Sequence, residues 1–70
     1  MKESRRKLPV TRVLELERPS FTWEEKKELM SGSVICMFGV EIFHLAENWF
    51  RLEASDYQSM KNVIGILKKN

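Results

Sequence analysis

The densest run of large apolar residues lies between positions 34 and 54, and its pattern predicts a β-hairpin. Residues 34–38 and 40–45 are rich in β-branched and aromatic side chains, which fit a pleated, buried surface. Gly39 interrupts this first strand, and a lone glycine in a strand pattern indicates a bulge or bend. Residues 49–54 form the returning strand. We therefore expect the rest of the chain to pack around this hairpin.

The hairpin loop decides which side chains face each other. A three-residue loop over 46–48 puts Asn48 in the left-handed conformation, which asparagine tolerates. A two-residue loop over 47–48 would place Glu41 on the apolar face, where burying a carboxylate costs more than an exposed repulsion. The three-residue loop is therefore preferred. Its predicted cross-strand pairs are Leu45–Trp49, His44–Phe50, Ile42–Leu52 and Glu41–Glu53.

In this register both faces of the hairpin carry apolar side chains. The predicted core face comprises Val34, Cys36, Phe38, Val40, Ile42, Phe50, Leu52 and Ala54. The predicted second face comprises Ile35, Met37, Glu41, Phe43, Leu45, Trp49, Arg51 and Glu53. Monomeric proteins rarely expose large apolar patches, so the second face indicates either a binding partner or a covering segment of the same chain.

A strand and a short helix are predicted before the hairpin. Residues 10–17 (VTRVLELE) alternate imperfectly between apolar and polar, as in a half-buried strand. Thr22 followed by Glu25 matches a capping box, which predicts a helix over 23–31 that ends at Gly32. This helix has few apolar residues, so we expect it to pack shallowly.

A second helix is predicted after the hairpin, over about residues 56–68. Ser55 and Gln58 match a second capping box. Five apolar residues follow at helical spacing on one face, namely Tyr57, Met60, Val63, Ile64 and Leu67. The order of elements is then β-α-β-β-α. The sequence predicts a single small α+β domain, with a three-stranded, mainly antiparallel sheet and both helices on one face.

Charge separates the first residues from the remainder of the chain. Residues 1–12 hold five Lys or Arg against one Glu, a net charge of +4, whereas residues 13–70 hold seven against nine acids, a net charge of −2. We therefore predict a flexible basic arm over 1–8 and one domain over 9–70. The single cysteine excludes an internal disulfide, and the apolar runs are too short for a membrane span, so a cytoplasmic protein is expected.

No catalytic or metal-binding pattern is present in the sequence. The single Cys36 and the single His44 would stand about 26 Å apart along one strand, too far for a nucleophile and its base, unless Gly39 folds the chain back. Zinc, calcium and phosphate-loop spacings are absent. The sequence therefore predicts a protein that is not an enzyme and that needs no metal and no cofactor.

The basic arm is the main indication of nucleic-acid binding. Its cations are Lys2, Arg5, Arg6, Lys7 and Arg12, which could neutralise phosphates while aromatic side chains of the sheet stack on bases. The GxxG loop of KH modules and the aromatic signatures of RRM modules are both missing. The net acidic body also argues against this function, which is retained as the alternative.

The leading hypothesis is a small non-catalytic protein-interaction module, such as an inhibitor, adaptor or regulatory subunit. It would bind another protein, or a second copy of itself as a homodimer, through the second face of the hairpin. The residues expected to make this contact are Met37, Phe43, Trp49 and Arg51, because Met, aromatic and Arg side chains are enriched at interface cores.

Overall fold

The computed structural model describes residues 8–68, which form four strands and two helices. The elements are β1 (Val10–Glu15), α1 (Trp23–Met30), β2 (Ile35–Met37), β3 (Val40–Ala46), β4 (Trp49–Ala54) and α2 (Tyr57–Lys68). All strand pairs are antiparallel, and the order across the sheet is β1-β4-β3-β2. The predicted small α+β domain is confirmed. The predicted three strands and β-α-β-β-α order are wrong, because the chain runs β-α-β-β-β-α.

The extra strand arises at Gly39, where the chain reverses. Phe38 and Gly39 have φ values of 51° and 80°, and positive φ at both central residues is the requirement of a two-residue type I′ hairpin turn. Ile35 consequently pairs with Ile42, and Met37 pairs with Val40. The sequence pattern indicates a bulge or bend and not a reversal, because phenylalanine is a poor residue for this turn.

This reversal inverts the predicted faces of β2. Cross-strand partners point to the same side of a sheet, so Ile35 and Met37 accompany the buried side chains of β3. Ile35 is buried and Met37 packs against the core. The predicted core positions of Val34, Cys36 and Phe38 are wrong, since all three are exposed.

The hairpin of β3 and β4 keeps most of its predicted register. The pairs His44–Phe50, Ile42–Leu52 and Glu41–Glu53 are confirmed. Ala46, however, pairs with Trp49, and a register shift between His44 and Ala46 makes Leu45 the extra residue of a bulge. Glu47, with φ 51°, takes the left-handed position predicted for Asn48.

Strand β1 lies beside β4 as the fourth strand of the sheet. It ends at Glu15, two residues earlier than predicted. The backbone N–H of Leu16 still donates to the Asn48 carbonyl at 2.8 Å, and Leu16 is buried. The strand therefore extends the hairpin at its outer edge and aligns Leu14 with Phe50.

Local capping explains where α1 begins and ends. The Glu25 backbone N–H donates to the Thr22 hydroxyl at 3.1 Å, and the Thr22 N–H donates to the Glu25 carboxylate at 2.9 Å. These two bonds confirm the predicted capping box. Gly32, at φ 95°, ends the helix, with its N–H donating to the Leu29 carbonyl and that of Ser33 to the Glu28 carbonyl.

The cap of α2 differs from the prediction by one residue. The Ser59 N–H donates to the Asp56 carboxylate at 2.7 Å, so Asp56 rather than Ser55 caps this helix. The two hydrogen bonds from Ser59, first from its backbone and then from its side chain, lower the pKa of the Asp56 carboxyl below its ordinary value.

Both helices pack on one side of the sheet, as predicted. Helix α1 contacts β2 and β3, and α2 contacts β4 and β3. The largest fully buried side chains come from the sheet and from α2, and they are Val40, Ile42, Leu52, Met60, Val63 and Leu67. Helix α1 contributes only Leu29 to this core, which agrees with its predicted shallow packing.

Candidate interaction face

The side of the sheet opposite the helices is the candidate site, and we name it the open face. Its residues follow from the strand register and occupy three rows that run across the strands. The acidic row is Thr11, Glu53, Glu41 and Cys36, the middle row is Val13, Arg51 and Phe43, and the end row is Glu15, Trp49 and the bulge residues Leu45 and Ala46.

Three large apolar side chains of the open face are substantially exposed. Val13, Leu45 and Trp49 are 52%, 46% and 44% exposed, respectively. They come from three different strands and lie in two adjacent rows, so they form one surface. Scattered exposed apolar residues are common, so the observation of interest is that these three are neighbours in the sheet.

Arg51 lies at the centre of the open face, where its neighbours hold it. Its guanidinium carbon lies 4.5 Å from the centre of the Phe43 ring, a cation–π contact. Its Nε lies 3.1 Å from Oε2 of Glu53, an ion pair whose N–H does not point at the oxygen closely enough for a hydrogen bond. The guanidinium is therefore oriented, and it still has donors free for a further acceptor.

Glu53 is unusual because it is a carboxylate that is only 4% exposed on the side without helices. It stands between Thr11 and Glu41 in the acidic row, directly opposite each of them. Arg51 supplies the compensating charge for this carboxylate. Breaking that ion pair would leave the carboxylate buried and unpaired, which is costly, so the pair holds Arg51 in position.

The predicted contact residues divide between the two sides of the sheet. Phe43, Trp49 and Arg51 all lie on the open face, in two adjacent rows. The placement of Met37 with them is wrong, because the turn at Gly39 puts it on the helix side. Val13 is an open-face residue absent from the predicted contact residues, although its position out of phase with Leu14 and Leu16 is a usable signal.

Of the five residues of the nucleic-acid alternative, the structure describes Arg12 alone. Lys2, Arg5, Arg6 and Lys7, with most of the predicted arm, lie outside the described residues. Arg12 is exposed on β1 and pairs with Leu52, which places it on the helix side of the sheet. The open face itself carries three carboxylates, Glu15, Glu41 and Glu53, and one guanidinium.

Cys36 and His44 lie on opposite sides of the sheet. Cys36 is exposed in the acidic row, opposite Glu41. His44 packs edge-on against Phe50 at 5.2 Å, and its Nε2 lies 2.9 Å from the Glu47 carbonyl, to which it donates. Among residues 8–68, no three possible ligands cluster as a metal site would require. The hydrogen bond of His44 joins β3 to the turn that follows it.

A groove on the helix side runs beside His44 and Phe50 and has a volume of about 350 Å³. Its floor includes Phe21, whose ring centre lies 5.8 Å from that of Phe50. The volume is at the lower end for small-molecule sites. Its charged rim is mixed, with Lys26 and Glu47 both present, so it selects no class of ligand.

No protein-family model matches the chain, and no curated protein or solved structure is significantly similar to it. Within residues 8–68, neither helix has the length and apolar character needed to cross a membrane.

Proposed function

We propose that this protein is a small non-catalytic interaction module, acting as an inhibitor, adaptor or regulatory subunit, that binds a protein through its open face. One observation carries the proposal, namely the continuous exposed surface of Val13, Leu45 and Trp49 on the side of the sheet away from both helices. The bound protein would be either a different chain or a second copy of this one.

The kinds of side chain on the open face support this function. Trp and Arg dominate the binding energy of protein interfaces, and they act best when a rigid surface presents them. Trp49 lies on a central strand of the sheet, and Arg51 is oriented by Phe43 and Glu53. Less conformational entropy is therefore lost on binding than would be lost from a loop.

The charges of the open face favour a protein over a nucleic acid. Glu15, Glu41 and Glu53 would repel phosphates, and the single guanidinium is already paired with a carboxylate. A protein can instead cover the middle row and the end row and leave the acidic row at a solvated rim. Failure of the intact protein to retard DNA or RNA at low salt would agree with this reading.

The test compares the two tryptophans, which lie on different surfaces. Trp49→Ala removes the largest side chain of the open face, whereas Trp23→Ala removes a tryptophan that is 73% exposed on α1. Each variant is first shown to be folded by circular dichroism and thermal unfolding. We expect complex formation, measured by pull-down and size-exclusion chromatography, to be lost in Trp49→Ala and kept in Trp23→Ala. Equal behaviour of the two folded variants would show that the open face is not the binding surface.

A further inference from the structure

We propose that the acidic row of the open face binds the basic arm of the same chain, so that Lys and Arg side chains of residues 1–7 pair with Glu41 and Glu53. This contact lies beside the exposed apolar surface of the open face and does not depend on the proposed function. Three features of the molecule support it, namely the unbalanced charge of the row, the point at which the arm joins the sheet, and the reach of the arm.

The acidic row carries more negative charge than the neighbouring side chains neutralise. Glu41 and Glu53 lie directly opposite each other on adjacent strands, an arrangement in which like charges are destabilising. Glu53 is buried and pairs with Arg51, whereas half-buried Glu41 pairs with no cation of residues 8–68. Two carboxylates against one guanidinium leave a net charge of −1. A further cation beside Glu41 is therefore favourable.

The basic arm joins the sheet at the end that carries this row. Val10 begins β1, and the next residue, Thr11, is the member of the row on that strand. Residues 1–7, which lie outside the described residues, hold four Lys or Arg against one Glu, a net charge of +3. Opposite charges are thus joined to the same end of the sheet. The covalent link gives the arm a high effective concentration at the row.

The arm is long enough to reach both carboxylates. Glu41 lies two strands from β1, which is about 10 Å across the sheet. Leu8 lies three residues before Thr11, which adds about 10 Å along the strand direction. The direct separation of Leu8 from Glu41 is then about 14 Å, whereas seven extended residues cover about 23 Å. The arm therefore reaches Glu41 before all seven residues are used.

One other carboxylate lies near the start of β1 and provides a matched control. Ala54 pairs with Val10, and Asp56 follows two residues later, just before α2. The Asp56 carboxylate already accepts the Ser59 N–H at 2.7 Å and lies at the positive end of that helix. It also lacks the opposing carboxylate that Glu41 faces. The acidic row is therefore the more favourable place for the cations of the arm.

The experiment uses the full chain with a nitroxide attached to Cys36, which is the single cysteine and an exposed member of the row. The nitroxide broadens the NMR signals of nearby backbone N–H groups, and its reduction restores them. We expect the signals of residues 2–7 to be broadened at about 0.01 M salt and to recover about twofold or more at about 1 M salt, because the Debye length then falls to about 3 Å.

Three variants locate the contact, after circular dichroism has shown that each is folded. Glu41→Gln should restore the signals at low salt, and so should Arg5→Gln combined with Arg6→Gln, because each removes one side of the ion pairs. Asp56→Asn should leave the signals broadened. In the unlabelled chain, the amide shifts of Thr11 and Glu41 should change with salt over the same range, which checks that the label does not create the contact.

Broadening that is equal in the arm variant and at both salt concentrations would overturn the proposal, because it would reflect only the covalent link to β1. Release of the arm by Asp56→Asn and not by Glu41→Gln would place the arm at the start of α2 and overturn it too. The broadening should also survive about tenfold dilution, since its loss would show an arm bound to a second copy. None of these measurements involves Trp49, so the pull-down with Trp49→Ala tests the proposed function separately.

Discussion

Apolar side chains lie on both sides of the sheet, but they are buried on the helix side and partly exposed on the open face. On the helix side, Ile42 and Leu52 pair directly and are fully buried beneath α2. On the open face, their chain neighbours Phe43 and Arg51 also pair directly, yet both retain contact with solvent. Burial on the first side stabilises the single chain, whereas the partly exposed side chains of the second side contribute less of this free energy. Neighbouring residues of one strand therefore contribute unequally to stability.

The largest expected effect comes from comparing an apolar residue on the helix side of the sheet with one on the open face. Leu52→Ala should lower the free energy of unfolding by about 2–5 kcal/mol, because it empties a closed part of the core. Val13→Ala on the open face should change it by less than about 0.5 kcal/mol. Urea denaturation at low protein concentration measures both values without a contribution from association. Similar losses of unfolding free energy for the two variants would contradict the difference in burial between the two sides of the sheet.

Two variants of Phe38, in the turn between β2 and β3, separate the effect of backbone strain from the effect of the exposed ring. Phe38 is 74% exposed and adopts φ 51°, a conformation that costs an ordinary residue about 1–2 kcal/mol and that asparagine tolerates. Phe38→Asn should therefore raise the stability by about 1 kcal/mol. Phe38→Ala, which removes the ring and keeps the strained backbone, should give no such gain. An equal rise in melting temperature for both variants would show that removal of the ring, and not relief of the backbone strain, causes the gain in stability.

The hydroxyl of Thr22 should stabilise the start of α1, whereas the hydroxyl of Ser55 should contribute little to α2. Thr22→Ala removes the acceptor for the Glu25 N–H and should cost about 1 kcal/mol. Ser55→Ala removes a hydroxyl that the sequence assigned to the cap of α2, and it should cost less than about 0.5 kcal/mol. Chemical denaturation of the two variants measures both changes in the free energy of unfolding. A larger loss for Ser55→Ala would contradict the caps described above.

The smallest expected effect is a pH dependence at the start of α2. The pKa of Asp56 is lowered in the folded chain, so its contribution to stability is present above the unfolded value near 3.8 and is lost as the pH falls through the lower folded value. Asp56→Asn keeps a capping side chain but does not titrate. The wild type should lose thermal stability relative to Asp56→Asn between pH 7 and about pH 3. A constant difference in melting temperature would contradict the lowered pKa.

Much of the hairpin was predictable because its signals are local. Alternation of apolar residues and the cost of burying Glu41 predicted the pairs of Ile42 with Leu52 and of His44 with Phe50. The exact loop was not predictable, because the bulge at Leu45 compensates for the shorter turn and preserves the rest of the register. The apolar–polar pattern of the sequence does not reveal such a compensating bulge.

The candidate site was predicted in part for the same reason. Phe43, Trp49 and Arg51 lie within the correctly predicted strands, so their common face followed from the period of two. Met37 was misplaced because it lies beyond the unpredicted turn, and a change of direction reverses which side chains share a face. Val13 joined the site only through the pairing of β1 with β4, a contact between distant parts of the chain.

The sequence by itself determined the α+β class, the two helices and the presence of large apolar side chains on both sides of one hairpin, because these depend on residue spacing and on local caps. Tertiary structure alone decided that the chain turns at Phe38 and Gly39, that β1 completes the sheet beside β4, and that Arg51 is held by Phe43 and Glu53. The physical reason is that a strained turn, a distant strand pairing and an ion pair to a buried carboxylate are each selected by the packing of the whole domain.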